Sequence, residues 1–525
     1  MNKFDVIIIG SGPAGVSAAF PLLERGLKVL MVDGGMKSKI TLPKNEYLEE
    51  RRNDPSLNDW IIGHDFYALN HLDAASPKLR NPNLAYVFNE FEEKNHIVKN
   101  NFDVIGSLAT GGLSNAWGCG VAKYSPQEFP DIPFSYQDLS LSYERVARRI
   151  GLSGGSDDSL SEYFGLDSLQ NKPIELDRHH KYLLDNYNKH SKLSKSNYFK
   201  LGRSRLAISS IDINGRLGCN HLGNCMWGCS RKSLYNSSHE LQDLFKFPNF
   251  SMECGIIVSK LINKDELWQV CGDFEKEIFA KKIILAAGTI ATSRIALNSL
   301  GLYDFKLPLL HSPTATFLLW LPRFLGEARL DHFALGQLAF VISLPEGINA
   351  YGANLSTNGI LTSEFIRKAP LNKRNALPLL NNILSSCVLG NLFLPSSLSK
   401  GYVLLKSNND LIVEGSFDER LRSIMAKLKR IIRNSNLKLG AFLIPGSFQI
   451  GRPGADIHYS GTIPMKKNPS IGECDKNGEV NRLKGVYITD GACLPYLSEK
   501  PHTLTIMANA DRIGRYISTN FKKLA

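Results

Sequence analysis

Asp5-Val6-Ile7-Ile8-Ile9-Gly10-Ser11-Gly12-Pro13-Ala14-Gly15 is the stretch whose reading decides the fold. An unbroken apolar run closed by glycines reads as a strand buried on both faces that turns directly into a helix. The glycines fall in the G-x-G-x-x-G spacing, and each has its own task. Gly10 makes the tight turn, Gly12 lets a pyrophosphate approach the backbone, and Gly15 lets helix and strand pack closely. The helix starts at Pro13, and its free N–H groups from Ala14 onward then offer the positive end of the helix dipole to the phosphates. An Ala/Leu-rich helix follows to Arg25, and the next strand runs from Lys28 to Asp33. Asp33, backed by Gly34, is placed to accept hydrogen bonds from an adenosine ribose. Pro21 removes a helix donor, which predicts a kink or an early break.

Two further strand-and-turn pieces of the same kind lie far downstream, at Lys282–Gly288 and Gly485–Gly491. The fold class is therefore α/β, with a Rossmann-like dinucleotide domain assembled from discontinuous segments. Its expected segments are 1–135, 215–310 and 446–525. The stretches 136–214 and 311–445 carry alternating apolar runs and would form an α+β substrate domain built on an antiparallel sheet. Two packed regions suit a chain of 525 residues. A polar, basic run from Asn188 to Lys200 reads as an exposed loop. Leu421, Ile424, Met425, Leu428, Ile431 and Ile432 recur at helical spacing between basic residues, predicting a basic amphipathic helix whose stripe packs on the core.

Hydrophobic residues make up 43% and charged residues 21%, an ordinary globular balance. The net charge of +12 favours encounter with anionic substrates and a weak association with an anionic membrane surface. No recognition motif or long Lys/Arg block accompanies it, so nucleic acid is not expected as a partner. The apolar stretches are interrupted well short of a membrane span, and the N-terminus lacks the pattern of a secretory leader. With nine cysteines, an odd number, the simplest expectation is a cytoplasmic protein with reduced thiols.

Beyond the glycine fingerprint, Thr110-Gly111-Gly112-Leu113-Ser114-Asn115-Ala116-Trp117-Gly118 resembles the flavin-contacting loop of the glucose-methanol-choline (GMC) oxidoreductases, in the version of their pyranose-oxidase-like members. Asp131–Leu139 resembles the segment that follows it. Ala280–Arg294 is similar to the family's second signature, and His458–Ile517 to its catalytic end. The resemblance implies FAD, bound by the three fingerprint glycines, Pro13, Ala14, Asp33, Gly34, Gly111, Gly112, Ser114, Asn115, Ala287, Gly288, Asp490, Gly491 and the helix start at His502 and Thr503. It implies non-covalent binding, because Ala116 occupies the place of the histidine that carries flavin in pyranose oxidases. It also implies oxidation of a CH–OH group, a sugar or glycoside hydroxyl first, by hydride transfer to flavin. The electron acceptor, whether quinone, cytochrome or oxygen, is left open.

Removing a hydride from a carbinol carbon needs a base for the hydroxyl proton, and imidazole suits that at neutral pH. His458, in His458-Tyr459-Ser460-Gly461-Thr462-Ile463-Pro464-Met465, matches the family's H-x-x-G-T-x-x-M block and is the expected base. Pro501 stands where the family places a second Asn or His, and His502, one position later, is the expected substitute. Two alternatives stay open: a flavoprotein isomerase without net redox turnover, and a flavin-binding partner subunit whose catalysis has decayed, for which Pro501 speaks. Cys219, Cys225 and Cys229 bring three thiols to one segment. An iron–sulfur cluster or zinc on them is conceivable but not favoured over plain thiols.

Overall fold

Strand β1 (Lys3–Ile9) turns at Gly10 into α1 (Pro13–Glu24), and β2 (Val29–Asp33) returns parallel to β1 with Val6 opposite Val29. The structure is a computed structural model that describes residues 3–39, 61–63, 66–70, 76–129, 132–194, 198–328, 332–368 and 371–524. Val6, Ile7, Ile8, Leu30 and Met31 are fully buried, as an apolar run with no alternation requires. Strand β3 (Phe250–Cys254) extends the sheet beyond β2, and the hairpin β4 (Val258–Lys264) and β5 (Leu267–Gly272) leads into β6 (Ile278–Leu285). β6 lies parallel to β1 on its other side. Along its free edge the first half of β6 pairs antiparallel with β5, and the second half pairs parallel with β7 (Val486–Ile488). The three strand-and-turn pieces seen in the sequence are thus neighbours in one seven-stranded sheet. Helices α2 (Thr289–Leu300) and α3 (Thr503–Leu524) follow β6 and β7, so with α1 all three helices start on the carboxyl side of the parallel strands, where such sheets bind ligands.

α1 runs through Pro21 to Glu24 without the expected break. Pro21 is buried, and its ring packs on α3 at Gly514, where a Cβ would come 2.8 Å from Pro21 Cγ. Close packing of the two helices holds the turn that proline would loosen in isolation.

The expected antiparallel sheet is present. Its order is Phe442–Leu443, Thr314–Trp320, Cys387–Phe393, Asn349–Ser356, Gly336–Ser343 and Phe199–Arg203, with Gln449–Ile450 also on Thr314–Trp320. One face is covered by the helix Leu421–Lys438, whose Leu421, Ile424, Met425, Leu428 and Ile432 share a core with Phe317, Leu319, Phe340 and Leu392. The apolar stripe of that basic helix is therefore spent on the core, and its charges are left outside. The opposite face looks onto the nucleotide sheet.

Three segments depart from the expected division. Helix Tyr136–Ile150 sits against α3, with the Tyr143 and Thr505 hydroxyls 2.6 Å apart and Arg145 paired to Asp511 at 2.8 Å, and so belongs with the nucleotide fold. Strands Ser399–Leu405 and Leu411–Phe417 join Lys306–Pro308 and Ile97–Asn100 in a four-stranded sheet. Their Val403, Leu405, Leu411 and Val413 enter the same core as Ile7 and Ile283, because an apolar strand face must be buried wherever a facing sheet is available. Gln449–Ile450, assigned above to the nucleotide domain, pairs into the substrate sheet. The run from Asn188 to Lys200 is not a single loop: the helix Arg178–Lys189 ends in it, Ser191–Ser194 is a helical turn, and Phe199 and Lys200 open a strand, with 195–197 outside the described residues.

Candidate functional site

The glycines of the first turn divide their work. A Cβ on Gly10, which has φ +103°, would stand 2.4 Å from the Ala286 carbonyl oxygen, and one on Gly15 would stand 2.0 Å from that of Gly10. Those two let three backbones meet. A Cβ on Gly12 would meet nothing within 4 Å, because Gly12 faces open space. Gly12 is also the N-cap of α1 and makes no side-chain cap, so the first N–H groups of the helix remain free.

That space is a cavity of about 720 Å³, lined at this end by Gly10, Gly12, Pro13, Ala14 and Asp33 and at the other by His458 and His502. Asp33 ends β2 at the cavity wall. Its Oδ2 accepts from the Ser11 N–H at 3.0 Å and hydroxyl at 2.6 Å, and its Oδ1 from the Gly35 N–H at 2.8 Å and the Thr110 hydroxyl at 3.3 Å. Burial raises its pKa, and those hydrogen bonds offset the rise in part. Ala287 and Gly288 line the middle of the cavity between β6 and α2, with Asp490 and Gly491 beyond β7. Asp490 joins the two pieces: its carboxylate accepts from the Gly288 N–H at 2.9 Å, the Thr292 hydroxyl at 2.5 Å and the Ala492 N–H at 2.9 Å. Burial pushes its pKa up to about 6.

The flavin-loop motif folds as a turn of 3₁₀ helix over Gly112–Asn115. Gly112, Ser114, Ala116 and Trp117 line the cavity. The Ser114 hydroxyl donates to the Gly111 carbonyl at 2.6 Å and accepts from the Ser237 N–H at 3.0 Å. Four of the expected cofactor residues stand behind the wall. Gly15 packs on Gly10, a Cβ on Gly34 would lie 2.5 Å from the Leu108 carbonyl oxygen, and one on Gly111 would lie 2.5 Å from Asn236 Oδ1. Asn115 holds the loop from within, donating to the Thr110 and Gly112 carbonyls at 3.0 and 2.7 Å and accepting from the Tyr86 hydroxyl at 3.0 Å. In the following segment, Asp131 lies outside the described residues.

At the far end the two expected histidines meet. The His458 and His502 rings are 4.9 Å apart, edge to face, and Phe393 lies 4.8 Å from the His458 ring. His502 stands at the N-terminus of α3, its carbonyl accepting from the Ile506 N–H at 3.0 Å, and Thr503 opens the helix beside it on the cavity wall. Burial lowers the His458 pKa to about 4 and that of His502 well below its ordinary value, the second helped by the neighbouring His458. Both are therefore neutral near pH 7. Pro501 also lines the cavity, directly before His502.

The sequence did not single out what holds and faces this pair. Lys500 Nζ donates to Glu128 at 2.8 Å and to the Lys123 carbonyl at 3.1 Å, and Ser498 donates to Glu128 at 2.9 Å. These contacts clamp the loop ahead of α3. Opposite the histidines, alternate residues of two adjacent strands form the wall in register: Tyr351 with Phe393, Ala353 with Asn391, Leu355 with Leu389. Period-two alternation over 349–356 and 387–393 was the signal that could have found them. Asp456, two positions before His458, lines the cavity as well.

Cys219, Cys225 and Cys229 are free thiols, and burial raises the pKa values of Cys219 and Cys225. Among the described residues no group of three His, Cys, Asp or Glu side chains is arranged to hold a metal ion. No described helix is long and apolar enough to cross a membrane.

Two family descriptions match the chain: pyridine nucleotide-disulphide oxidoreductase over residues 4–110, and GMC oxidoreductase over residues 418–510. Among solved structures, formate oxidase of Aspergillus oryzae RIB40 is similar with a TM-score of 0.63 at 13% identity, over 100% of this chain and 99% of that one. Pyridoxine 4-oxidase from Mesorbium loti is similar with a TM-score of 0.59 at 15% identity, over 98% of this chain and 99% of that one. The first match covers the glycine turn and the flavin loop's start, and the second covers His458 and His502. The chain thus shares its fold, a nucleotide sheet beside a substrate sheet, with those two structures, and its segment 418–510 matches the GMC oxidoreductase description.

Proposed function

We propose that the protein oxidises the CH–OH group of an alcohol, with FAD held non-covalently in the cavity and His458 as the base for the hydroxyl proton. The observation that carries the reading is the meeting of His458 and His502, 4.9 Å apart, at one end of a cavity whose other end is the open face of Gly12. The residues present fit the cofactor: an uncapped helix start beside a glycine with free space suits a pyrophosphate, and Asp33 sits where a ribose would follow. Ala116, on the wall, offers no atom for a covalent link to flavin. Bound there, FAD supplies the two-electron acceptor for the hydride that leaves the carbinol carbon.

His458, neutral at pH 7, can accept the hydroxyl proton, and His502 is placed to orient the substrate oxygen. The start of α3 adds its positive dipole end at the same place, favouring negative charge in the cavity. The wall made by Tyr351, Phe393, Ala353, Leu355 and Leu389 is mostly apolar, and the side-chain carbonyl of its Asn391 already accepts from the Ala353 N–H at 3.0 Å. Such a wall suits an alcohol on an apolar or aromatic body better than a sugar, which would leave hydroxyls without partners. Of the two similar structures, pyridoxine 4-oxidase is named for an aromatic substrate, which agrees with that choice.

His458→Ala tests the reading. An alcohol that bleaches the parent flavoprotein without oxygen should bleach the variant about 10²–10⁴-fold more slowly, the usual worth of a general base. Its FAD content should be unchanged. Equal rates would remove His458 from the chemistry.

A further inference from the structure

We propose that Asp456 and His458 act as one proton-accepting unit, in which the carboxylate accepts a hydrogen bond from the imidazole Nδ1–H and leaves Nε2 as the base. This rests on the reading of His458 as the base. The Asp456 side chain is 1% exposed, and no side chain donates a well-formed hydrogen bond to it; the donors beside it are the backbone N–H groups of His458 and of Asp456 itself. A buried carboxylate short of donors is costly. The other buried acids of the cavity, Asp33 and Asp490, show the contrast, since they accept four and three hydrogen bonds.

The group within reach is His458, whose Nδ1 lies 3.6 Å from Asp456 Oδ2. That gap exceeds a hydrogen bond and falls in the range that tightens when a ligand completes a catalytic site. The other titratable groups facing the pair are few. His502 meets the His458 ring from the side. Tyr459 turns its hydroxyl to the Ile105 carbonyl, and Arg452, on the cavity wall, acts on Asp103.

A lone imidazole in this cavity becomes a cation when it takes a proton, and burial opposes that, lowering the His458 pKa to about 4 while the contact with Asp456 is still open. With Asp456 ionised, the same proton takes the pair from one negative charge to neutrality, which an apolar cavity favours. Burial that raises the Asp456 pKa works in the same direction. The step is a proton transfer alone: the substrate O–H bond breaks, Nε2–H forms, the bonding pair stays on oxygen, and the Nδ1 proton remains in the contact with Oδ2. The pair then titrates as a unit.

The test reads the imidazole directly in the FAD-loaded protein. Histidine labelled with ¹³C at Cε1 and with ¹⁵N is followed by NMR from about pH 4 to 9, across the ordinary histidine range, and His458→Gln identifies the resonance. In the parent, unliganded His458 should carry its proton on Nδ1, and Asp456→Asn should lower its proton affinity at least about tenfold, one pH unit. A proton on Nε2 in the parent, or an unmoved midpoint in Asp456→Asn, would overturn the proposal. Asp456→Ser replaces Asp456→Asn if that variant does not fold, and the parent's tautomer decides the matter by itself. The two readings fail separately. If His458→Gln is bleached by an alcohol as fast as the parent, the base assignment falls. If it is slow while the parent holds its proton on Nε2, only the role of Asp456 falls.

Discussion

The two ends of the cavity are built in opposite ways. The glycine end is made of backbone: Gly10 and Gly15, five residues apart, bring β1, α1 and the end of β6 together, and the groups offered to the cavity beside Gly12 are N–H donors of a helix start. The histidine end is made of side chains carried by separate segments: His458 and Asp456 on one loop, His502 at the start of α3, Phe393 and Tyr351 on the antiparallel sheet. Packed backbone such as that at Gly10 and Gly15 tolerates no added atom, whereas side-chain sites tolerate substitution at the cost of their chemistry. The consequence is that the first end governs whether cofactor and fold exist, and the second governs what the cofactor is used for.

Gly15→Val should have the largest effect. Its Cβ would meet the Gly10 carbonyl oxygen at 2.0 Å, a backbone atom with no room to move, so the first helix cannot seat on the sheet. The expected outcome is loss of folded, yellow protein, read from flavin absorbance per milligram and from thermal unfolding. A variant that keeps parental flavin would break the contrast, since His458→Ala is expected to keep it too. Lys500→Met comes next. It removes the cation between Glu128 and the neighbouring Glu499, all three largely buried, and breaking such a pair costs about 3–5 kcal/mol. The loss should appear in denaturant melts while flavin per folded molecule stays constant. If flavin falls in proportion, the two ends are coupled through α3 and are not independent.

The smallest expected effect sharpens the same point. Burial, then the neighbouring Glu128, raises the Glu499 carboxyl from the usual 4.5 to about 7. The folded protein therefore holds this proton more tightly than the unfolded chain, and stability must fall as pH rises from about 4.5 through 7. Glu499→Gln cannot titrate, so the difference in unfolding free energy between the two ends of that window should shrink by about 1–3 kcal/mol. An unchanged slope would mean that Glu499 is not what makes this loop sensitive to pH.

The antiparallel sheet illustrates why parts of the site stayed hidden. Alternation in 349–356 and 387–393 announces strands, but which residues face the cavity depends on which sheet face α-helix Leu421–Lys438 covers, and that pairing is not local. The boundary near Tyr136 was misplaced for the same reason. A helix amphipathic along its length shows that it packs, and only contact with α3 through Tyr143 and Arg145 shows on what. Pro21 reads as a breaker because propensity is local, and it is overruled by its fit against Gly514.

From the sequence alone came the glycine turn between a buried strand and a helix, the two further strand-and-turn pieces of the same kind, and the expectation of His458 and His502, because each rests on residues close together along the chain or on a block with strict spacing. Tertiary structure alone decided that Asp33 is ringed by four donors, that Asn115 braces the flavin loop from behind, and that His502 reaches His458 across Pro501. It alone placed the buried Asp456 carboxylate beside the His458 ring. Hydrogen-bond satisfaction and burial belong to neighbours in space, and in this chain those neighbours are drawn from segments hundreds of residues apart.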